Sequence, residues 1–383
     1  MSGPLAGVKI VEIVGLGPVP FGSMLLADMG AEVIRIDRPG GSETMKMVKP
    51  QFDAMARGRR SAIVDLKKEG AAEVVLDLIG KADAILEGFR PGVMERLGLG
   101  PDVCLKCNPK LVYGRMTGYG QDGPMSQAVG HDINYIALSG VLHTVGFPDR
   151  PPVPALNLLG DMGGGGMLLA LGVVSAILEA SRSGKGQVVD VAMLEGSAIM
   201  ATMMWGFHGA GIWHNERGTN FGDGGAFYNR AYECADGKFI SIASVEPQFY
   251  ANLRKVAGLE DKYWDERTDR ARWPEQTGRL AKIFKSRTRD EWCALMEGKE
   301  VCFAPVLEWS EAVHHPHNVA RKSFIEVGGV TQPAPAPRFS RTPTGQPAAP
   351  SVPGAETEAI LRDWGFTEVR IRTLRDAAVI ASV

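Results

Sequence analysis

The sequence has little cysteine, no excess of either charge and no long apolar run, and each absence excludes a class of protein. Five cysteines in 383 residues are too few for a disulfide scaffold, which favours a reducing compartment. The 42 Lys and Arg residues nearly balance the 44 Asp and Glu residues, so no surface for nucleic acid is indicated. The longest apolar stretch, residues 162–178, has four consecutive glycines near its start and is too short for a membrane span, and no signal peptide is evident. We expect a cytoplasmic protein that contacts neither nucleic acid nor membrane.

Segments rich in β-branched residues alternate with helical patterns through the first half of the chain. The predicted strands are residues 8–14, 32–37, 61–65, 84–87, 111–116 and 188–191. The predicted helices are residues 21–29, 70–80, 167–179 and a methionine-rich segment, 193–204. Strand–helix–strand units of this length imply parallel strands with right-handed crossovers. The fold class is therefore α/β, with a Rossmann-like large domain over residues 1–200.

The character of the sequence changes after residue 200. Glycine-rich residues 201–229 are predicted to be a linker, and residues 230–325 a small α+β domain with a hairpin turning at Asp236-Gly237. Prolines accumulate over residues 326–354, which indicates an extended return linker. The last segment, 355–383, begins with a short amphipathic helix and is expected to return to the large domain.

Several motifs partly resemble cofactor or metal sites but lack a feature that such sites need. The Gly15-Leu-Gly17 turn follows the first strand, where a dinucleotide fingerprint would lie, but Pro20 replaces its third glycine. Cys104 and Cys107 form one pair without the second pair that a zinc site needs. The histidines at 314–317 are interrupted by a proline, which favours a solvated loop. Neither a nicotinamide cofactor nor a metal is expected.

The informative region is residues 128–166. His131 follows a turn glycine, and Asp161 stands two residues before the glycines at 163–166, where an apolar helix begins. Four glycines are costly in a helix, at on the order of 1 kcal/mol each relative to alanine. They suit a substrate that lies against bare backbone, or N–H groups that face developing negative charge. The alternative is that they let another helix pack closely.

Motifs in this order resemble the α-methylacyl-CoA racemase branch of the family III CoA-transferases. They cover nearly the whole chain, at Pro4–Glu12, Leu26–Gly40, Glu87–Gly98, Gly130–Tyr135, Asn157–Asp161, Gly184–Asp190 and Glu246–Tyr250. The resemblance implies an interlocked homodimer whose active site lies between the large domain of one subunit and the small domain of the other. It also implies interconversion of (R)- and (S)-2-methylacyl-CoA thioesters by transfer of the C2 proton through an enolate.

The same resemblance implies the site residues. His131 and Asp161 would be the two acid/base groups, Glu246 would stabilise protonated His131 across the subunit boundary, and Asn157 would tune Asp161. The CoA-binding residues would be Arg38, Ile63, Val64, Asp65, Leu66, Lys67, Gly88, Phe89, Arg90, Arg96, Gly130, Asp132, Ile133, Asn134 and Tyr135. No cofactor is expected, because CoA enters as part of the substrate.

The sequence alone leaves two further points open. Arg57, Arg59 and Arg60 form a basic cluster that either assists the CoA phosphates or is a solvated loop. The rival activities are CoA transfer between carboxylic acids, with Asp161 as the nucleophile, and a non-catalytic acyl-CoA-binding protein.

Overall fold

The chain divides into two compact units in the computed structural model, which describes residues 2–41 and 48–382. The larger unit contains residues 1–139, 155–201 and 322–383, and the smaller unit contains residues 140–154 and 202–321. Residues 140–154, assigned from the sequence to the large domain, thus lie in the smaller unit, and the return to the larger unit begins at residue 322.

Seven strands form the main sheet of the larger unit within the described residues, in the order β12-β3-β2-β1-β4-β5-β6. Their bounds are β1 Lys9–Ile13, β2 Glu32–Asp37, β3 Arg60–Val64, β4 Ala84–Glu87, β5 Val112–Thr117, β6 Gln187–Ala192 and β12 Ile380–Ala381. All pair in parallel except β12, which is antiparallel to β3. The order reverses between β1 and β4, so the carboxyl ends of these strands flank a topological switch point, where open α/β sheets bind ligands.

Helices cover both faces of this sheet. They are α1 Pro18–Asp28, α2 Ala71–Ile79, α3 Val93–Arg96, α4 Pro101–Cys107, α5 Asp132–Leu138, α6 Leu168–Ser183, α7 Met193–Met200, α14 Thr357–Asp363 and α15 Glu368–Asp376. A short hairpin, β10 Phe324–Val327 with β11 Val330–Pro333, precedes the proline-rich segment. Trp364, after α14, is fully buried in the same cluster as Val11 and Ile34 of the central strands. The C-terminal segment therefore belongs to the core of the larger unit.

The basic cluster before β3 fits neither sequence-based interpretation. Arg57 donates to both carboxylate oxygens of Asp28, at 3.1 and 2.6 Å, and Arg59 is paired with Glu12. All four side chains are buried, so these arginines neither face solvent nor remain free for phosphates. Arg60 pairs with carboxylates of the C-terminal segment. Their partners lie far away in sequence, which is why local pattern did not reveal them.

The glycine segment, Leu158–Met167, is a π-helix continuous with α6. A Cβ atom added at Gly164 would lie 2.6 Å from the backbone nitrogen of Ser197 in α7. One added at Gly166 would lie 2.5 Å from the carbonyl oxygen of Pro18 in α1. The glycines therefore permit close packing of backbone against two helices. The expectation that they present backbone to a substrate is not what this geometry supports.

The combined helix Leu158–Ser183 is long and apolar enough to cross a membrane by length and composition, and less than half of its most apolar window is buried. It is longer than the predicted 167–179 because the glycine segment is itself helical. Met167, Leu171 and Leu178 are all more than half exposed. Their spacing places them on one face of the helix.

The smaller unit contains the antiparallel sheet β7-β8-β9, with strands Asn229–Glu233, Phe239–Ala243 and Phe303–Val306. Its helices are α8 Thr202–Gly209, α9 Pro247–Ala257, α10 Trp273–Phe284, α11 Arg289–Met296, α12 Trp309–Ala312 and α13 Pro316–Arg321. The predicted hairpin at Asp236-Gly237 is confirmed by the pairing of β7 with β8. An aromatic core that includes Phe227, Tyr250 and Trp264 lies beneath this sheet.

Candidate active site

Asp161 is held in place from three directions in the larger unit. Asn157 Nδ2 lies 3.4 Å from Asp161 Oδ2. Asp132, buried at the start of α5, accepts the backbone N–H groups of Gly160 and Asp161 at 2.6 and 2.8 Å. A Cβ atom added at Gly17 would lie 3.2 Å from Asp161 Oδ2, and the φ of +68° at Gly17 also disfavours any other residue. We call Asp161, Asn157, Asp132, Gly17 and His131 the Asp161 cluster.

The electrostatics of this cluster raise the pKa of the Asp161 carboxyl above its ordinary value. Burial is the main cause, and the negative charge of Asp132 adds to the rise. The Asn157 amide and the nearby His131 act in the opposite direction. A carboxylate whose proton affinity is increased is a stronger base, which suits the removal of a proton from carbon.

His131 immediately precedes α5, and its backbone N–H donates to Asn134 Oδ1 at 3.0 Å. The side chain is exposed, and its charge interacts with Asp161. The adjoining turn is fixed by Tyr135, whose hydroxyl donates to the carbonyl oxygen of Gly130 and whose ring packs edge-on against Tyr119 at 5.0 Å. Burial raises the pKa of Tyr135 to about 12, so this phenol stays protonated as a hydrogen-bond donor. The turn therefore presents the imidazole on an ordered support.

A cavity of about 390 Å³ opens at the carboxyl ends of β1–β4. Six of the predicted CoA-binding residues line it: Arg38, Val64, Asp65, Leu66, Lys67 and Phe89. We call it the strand-end cavity. The Phe89 backbone is fixed there because its N–H donates to the buried Glu87 carboxylate at 2.7 Å. Asp37 also lines the cavity, but its carboxylate already accepts hydrogen bonds from Arg35 at 2.7 Å and from the Ser61 hydroxyl at 2.5 Å.

The remaining predicted CoA residues lie outside the lining of this cavity. Arg90 and Arg96 are exposed cations after β4, Gly88 is exposed beside Val19, and Ile63 is buried within β3. Gly130 immediately precedes His131, and Asp132, Ile133, Asn134 and Tyr135 lie at the start of α5. The Asp132 carboxylate orders the backbone of Asp161, a positioning role that the sequence did not reveal.

The loop after β1 connects the two parts of the site. Val14, Gly15 and Leu16 line the strand-end cavity, and the next residue, Gly17, abuts Asp161. The same loop, including Gly17, also lines a second cavity of about 430 Å³, which has Pro20, Phe52 and Met55 in its wall. From the sequence, Gly15 and Gly17 resemble an incomplete dinucleotide fingerprint, and their connecting role was not predicted.

Glu246 lies in the smaller unit, where it is exposed and immediately precedes α9. Its negative charge helps to raise the pKa of Cys302, after the larger effect of burial, so the two side chains are neighbours. Among the described residues, no group of three or more His, Cys, Asp and Glu side chains could hold a metal ion.

Comparison with known proteins shows the family to which this chain belongs. The model of CoA-transferase family III matches residues 5–357. The chain belongs to that family. Alpha-methylacyl-CoA racemase of Mus musculus is 44% identical over 381 residues, which cover 99% of this chain and 98% of the mouse protein. The Homo sapiens protein of the same name is 41% identical, with the same coverage of the two chains.

A solved structure also superimposes on this chain. The crystal structure of Rv3272 from Mycobacterium tuberculosis has a TM-score of 0.78 at 28% identity, covering 93% of this chain and 99% of that one. The family III α/β fold predicted from the sequence motifs is confirmed by the match to the family model together with this structural similarity.

Proposed function

We propose that this chain interconverts (R)- and (S)-2-methylacyl-CoA thioesters by moving the proton at C2. The observation that carries the proposal is Asp161, a half-buried carboxylate of raised pKa that interacts with His131 beside the loop from the strand-end cavity. The similarity to the two racemases over nearly the full chain supports the same activity.

The reaction needs two acid/base groups, because inversion at C2 requires a proton to leave one face and another to arrive at the opposite face. A thioester acidifies C2, but its pKa remains far above that of any side chain, so the enolate must be stabilised as it forms. In the proposal His131 serves one face and Asp161 the other. Asn157, in contact with Asp161 Oδ2, lowers the pKa of that carboxyl and so partly offsets the rise that burial causes.

Coenzyme A is proposed to occupy the strand-end cavity as part of the substrate. Arg38 and Lys67 supply positive charge at its wall for phosphate groups, and Leu66 and Phe89 supply apolar surface for the adenine. The pantetheine arm would follow Val14–Leu16 toward Gly17, with Arg90 and Arg96 nearby along the chain after β4. The thioester would then reach the Asp161 cluster. The proposed proton transfer needs no further cofactor.

We further propose that the active unit is a homodimer in which Glu246 of the partner subunit stabilises protonated His131. The exposed apolar face of the combined helix Leu158–Ser183 supports a covering partner, since Met167 and Leu171 are 57% and 63% exposed. A lipid environment suits this helix less well, because its first turns carry the Asp161 carboxylate. All five cysteines are free thiols, which supports a cytoplasmic location.

One incubation separates the possible activities. Purified protein is mixed with (2R)-2-methylacyl-CoA in deuterated water, with and without an added carboxylic acid. The proposal predicts deuterium at C2 and formation of the (2S) epimer while the thioester stays intact. Transfer of CoA to the added acid without C2 exchange would identify a CoA-transferase with Asp161 as nucleophile. Binding without either reaction would identify an acyl-CoA-binding protein.

The dimer proposal has its own test. His131→Ala and Glu246→Ala subunits are each expected to be impaired when pure. Refolded together, they are expected to recover partial activity, because one of the two sites in a mixed dimer keeps both residues. Purified heterodimers without recovered activity would place Glu246 in the site of its own chain.

A further inference from the structure

The smaller unit contains a cavity of about 570 Å³ that none of the predicted site residues lines. Its wall includes Pro148 from the segment 140–154 and Trp273 and Pro274 at the start of α10. Two arginines, Arg230 of β7 and Arg270 just before α10, also line it. We call it the arginine cavity.

Both arginines retain buried donors without a partner. Arg230 Nη1 lies 3.5 Å from the Thr277 hydroxyl and its guanidinium lies over Tyr232, but its Nε has no hydrogen-bond partner. Arg270 donates through Nη2 to the carbonyl oxygen of Ile212, and its Nη1 has no partner. Neither guanidinium forms an ion pair within the described residues.

This arrangement differs from that of Arg289 and Arg254 in the same unit. Arg289 donates from its two terminal nitrogens to the Glu311 carboxylate at 2.7 and 2.8 Å. Arg254 pairs with Asp265 at 2.6 Å. Arginines of the smaller unit can thus be matched with carboxylates, whereas the two in the cavity are not.

The acidic residue in the cavity wall is already occupied. Asp223 accepts four N–H donors through its two oxygens, from the backbones of Gly218, Asn220 and Gly225 and from the Asn220 side chain. These bonds hold the loop 218–225 in shape. The carboxylate therefore has little capacity left to neutralise Arg230 or Arg270.

Guanidinium donors removed from water are costly when unpaired, and carboxylate and phosphate oxygens are their best-matched acceptors. We propose that the arginine cavity binds a small organic anion, with its carboxylate or phosphate group at Arg230 and Arg270. The apolar part of the ligand would contact Pro148, Trp273 and Pro274. The site is additional to the proposed proton transfer, whose residues do not line this cavity.

Isothermal titration calorimetry with three six-carbon probes tests this assignment on the full-length protein. Hexanoate, hexyl phosphate and hexanol share an apolar chain and differ in the head group. We expect the wild type to bind at least one of the two anions more tightly than hexanol. The tighter anion identifies a carboxylate or a phosphate as the natural head group.

Variants locate the binding. Arg230→Gln and Arg270→Gln are each expected to weaken anion binding about tenfold or more, because each removes a charged donor. Arg279→Gln is the matched control: it removes one positive charge from α10 but lies outside the cavity wall and pairs with Glu275. It is expected to leave the affinity unchanged.

Three results would overturn the proposal. These are equal anion affinity in wild type and both glutamine variants, equal affinity for hexanol and the anions, and no binding of either anion. Circular dichroism verifies folding of each variant. If a glutamine variant does not fold, Arg230→Lys and Arg270→Lys replace it, since they keep the charge and lose the guanidinium fork, and weaker anion binding is again expected.

Discussion

The strand-end cavity and the Asp161 cluster are parts of one candidate site, but they are built on different principles. The cavity presents the exposed cations Arg38 and Lys67 on loops after strands. In the Asp161 cluster, the buried carboxylate of Asp132 accepts hydrogen bonds from backbone N–H groups. The adjoining glycine segment packs its backbone against the backbone of neighbouring helices. Recognition of a flexible, charged substrate tolerates mobile side chains, whereas proton transfer at carbon requires fixed positions.

The largest effect is expected when the reacting group itself is changed. Asp161→Asn removes the proposed base but keeps its shape, so racemisation should fall by about 10²- to 10⁴-fold. The measurement is epimerisation of saturating 2-methylacyl-CoA, with CoA affinity by calorimetry as the control for binding. Activity within tenfold of wild type would remove Asp161 from the chemistry.

The positioning role of Asp132 gives the next effect. Asp132→Ala leaves two backbone N–H groups without their acceptor, and the loss of these hydrogen bonds costs about 1–3 kcal/mol. Because the Asp161 backbone is then no longer fixed, kcat should fall about 10- to 100-fold. Asp132→Asn keeps an acceptor oxygen and should restore much of the rate.

The pH profile distinguishes positioning from general loss of structure. Asp132 raises the pKa of Asp161, so Asp132→Asn should lower that pKa. Proton exchange that uses ionised Asp161 is lost as the pH falls through the pKa of Asp161. The acidic limb of the pH–rate profile should therefore move to lower pH in Asp132→Asn. An unmoved limb would contradict the coupling of the two carboxyls.

Backbone packing of the cluster is tested by Gly164→Ala. The added methyl group would collide with the Ser197 backbone, so unfolding free energy should fall by about 1–3 kcal/mol. Gly206→Ala in α8 is the control, because a Cβ atom there meets nothing within 4 Å and should be neutral or stabilising. Thermal unfolding measures both. Equal stability of Gly164→Ala and wild type would favour a role for these glycines toward substrate.

The strand-end cavity should show the smallest effects, confined to binding. Arg38→Gln and Lys67→Gln are each expected to raise KM by up to about tenfold with kcat unchanged, because each removes a charged contact to phosphate. Lys68→Gln is the neighbouring control, since Lys68 is exposed outside the cavity wall. A fall in kcat without a change in KM would show that this cavity serves the chemistry.

The parallel sheet could be predicted closely from sequence because its strands are β-branched runs separated by turn residues. Strand β4 was located at its observed bounds. The apolar spacing of residues 275–297 predicts a single helical segment, but the structure has two helices there, since Thr288 and Glu291 form a capping box that starts α11. That Thr-x-x-Glu signal was readable in the sequence.

Contacts between distant segments could not be predicted. The partner of Arg59 is Glu12, 47 residues earlier, and the acceptor for the Asp161 backbone is Asp132, 29 residues earlier. Gly17 resembled part of a cofactor fingerprint, and only the fold places it against Asp161. Each of these depends on how the chain crosses the sheet, which residue spacing does not encode.

The central claim is that two different groups serve the two faces of C2. Its most direct test measures loss of the C2 proton separately from (2R)- and (2S)-2-methylacyl-CoA in deuterated water. His131→Ala should abolish exchange from one enantiomer, expected to be (2S), and leave some exchange from the other. Asp161→Asn should show the opposite preference. Equal loss from both enantiomers in both folded, CoA-binding variants would contradict the two-base account and indicate a single base.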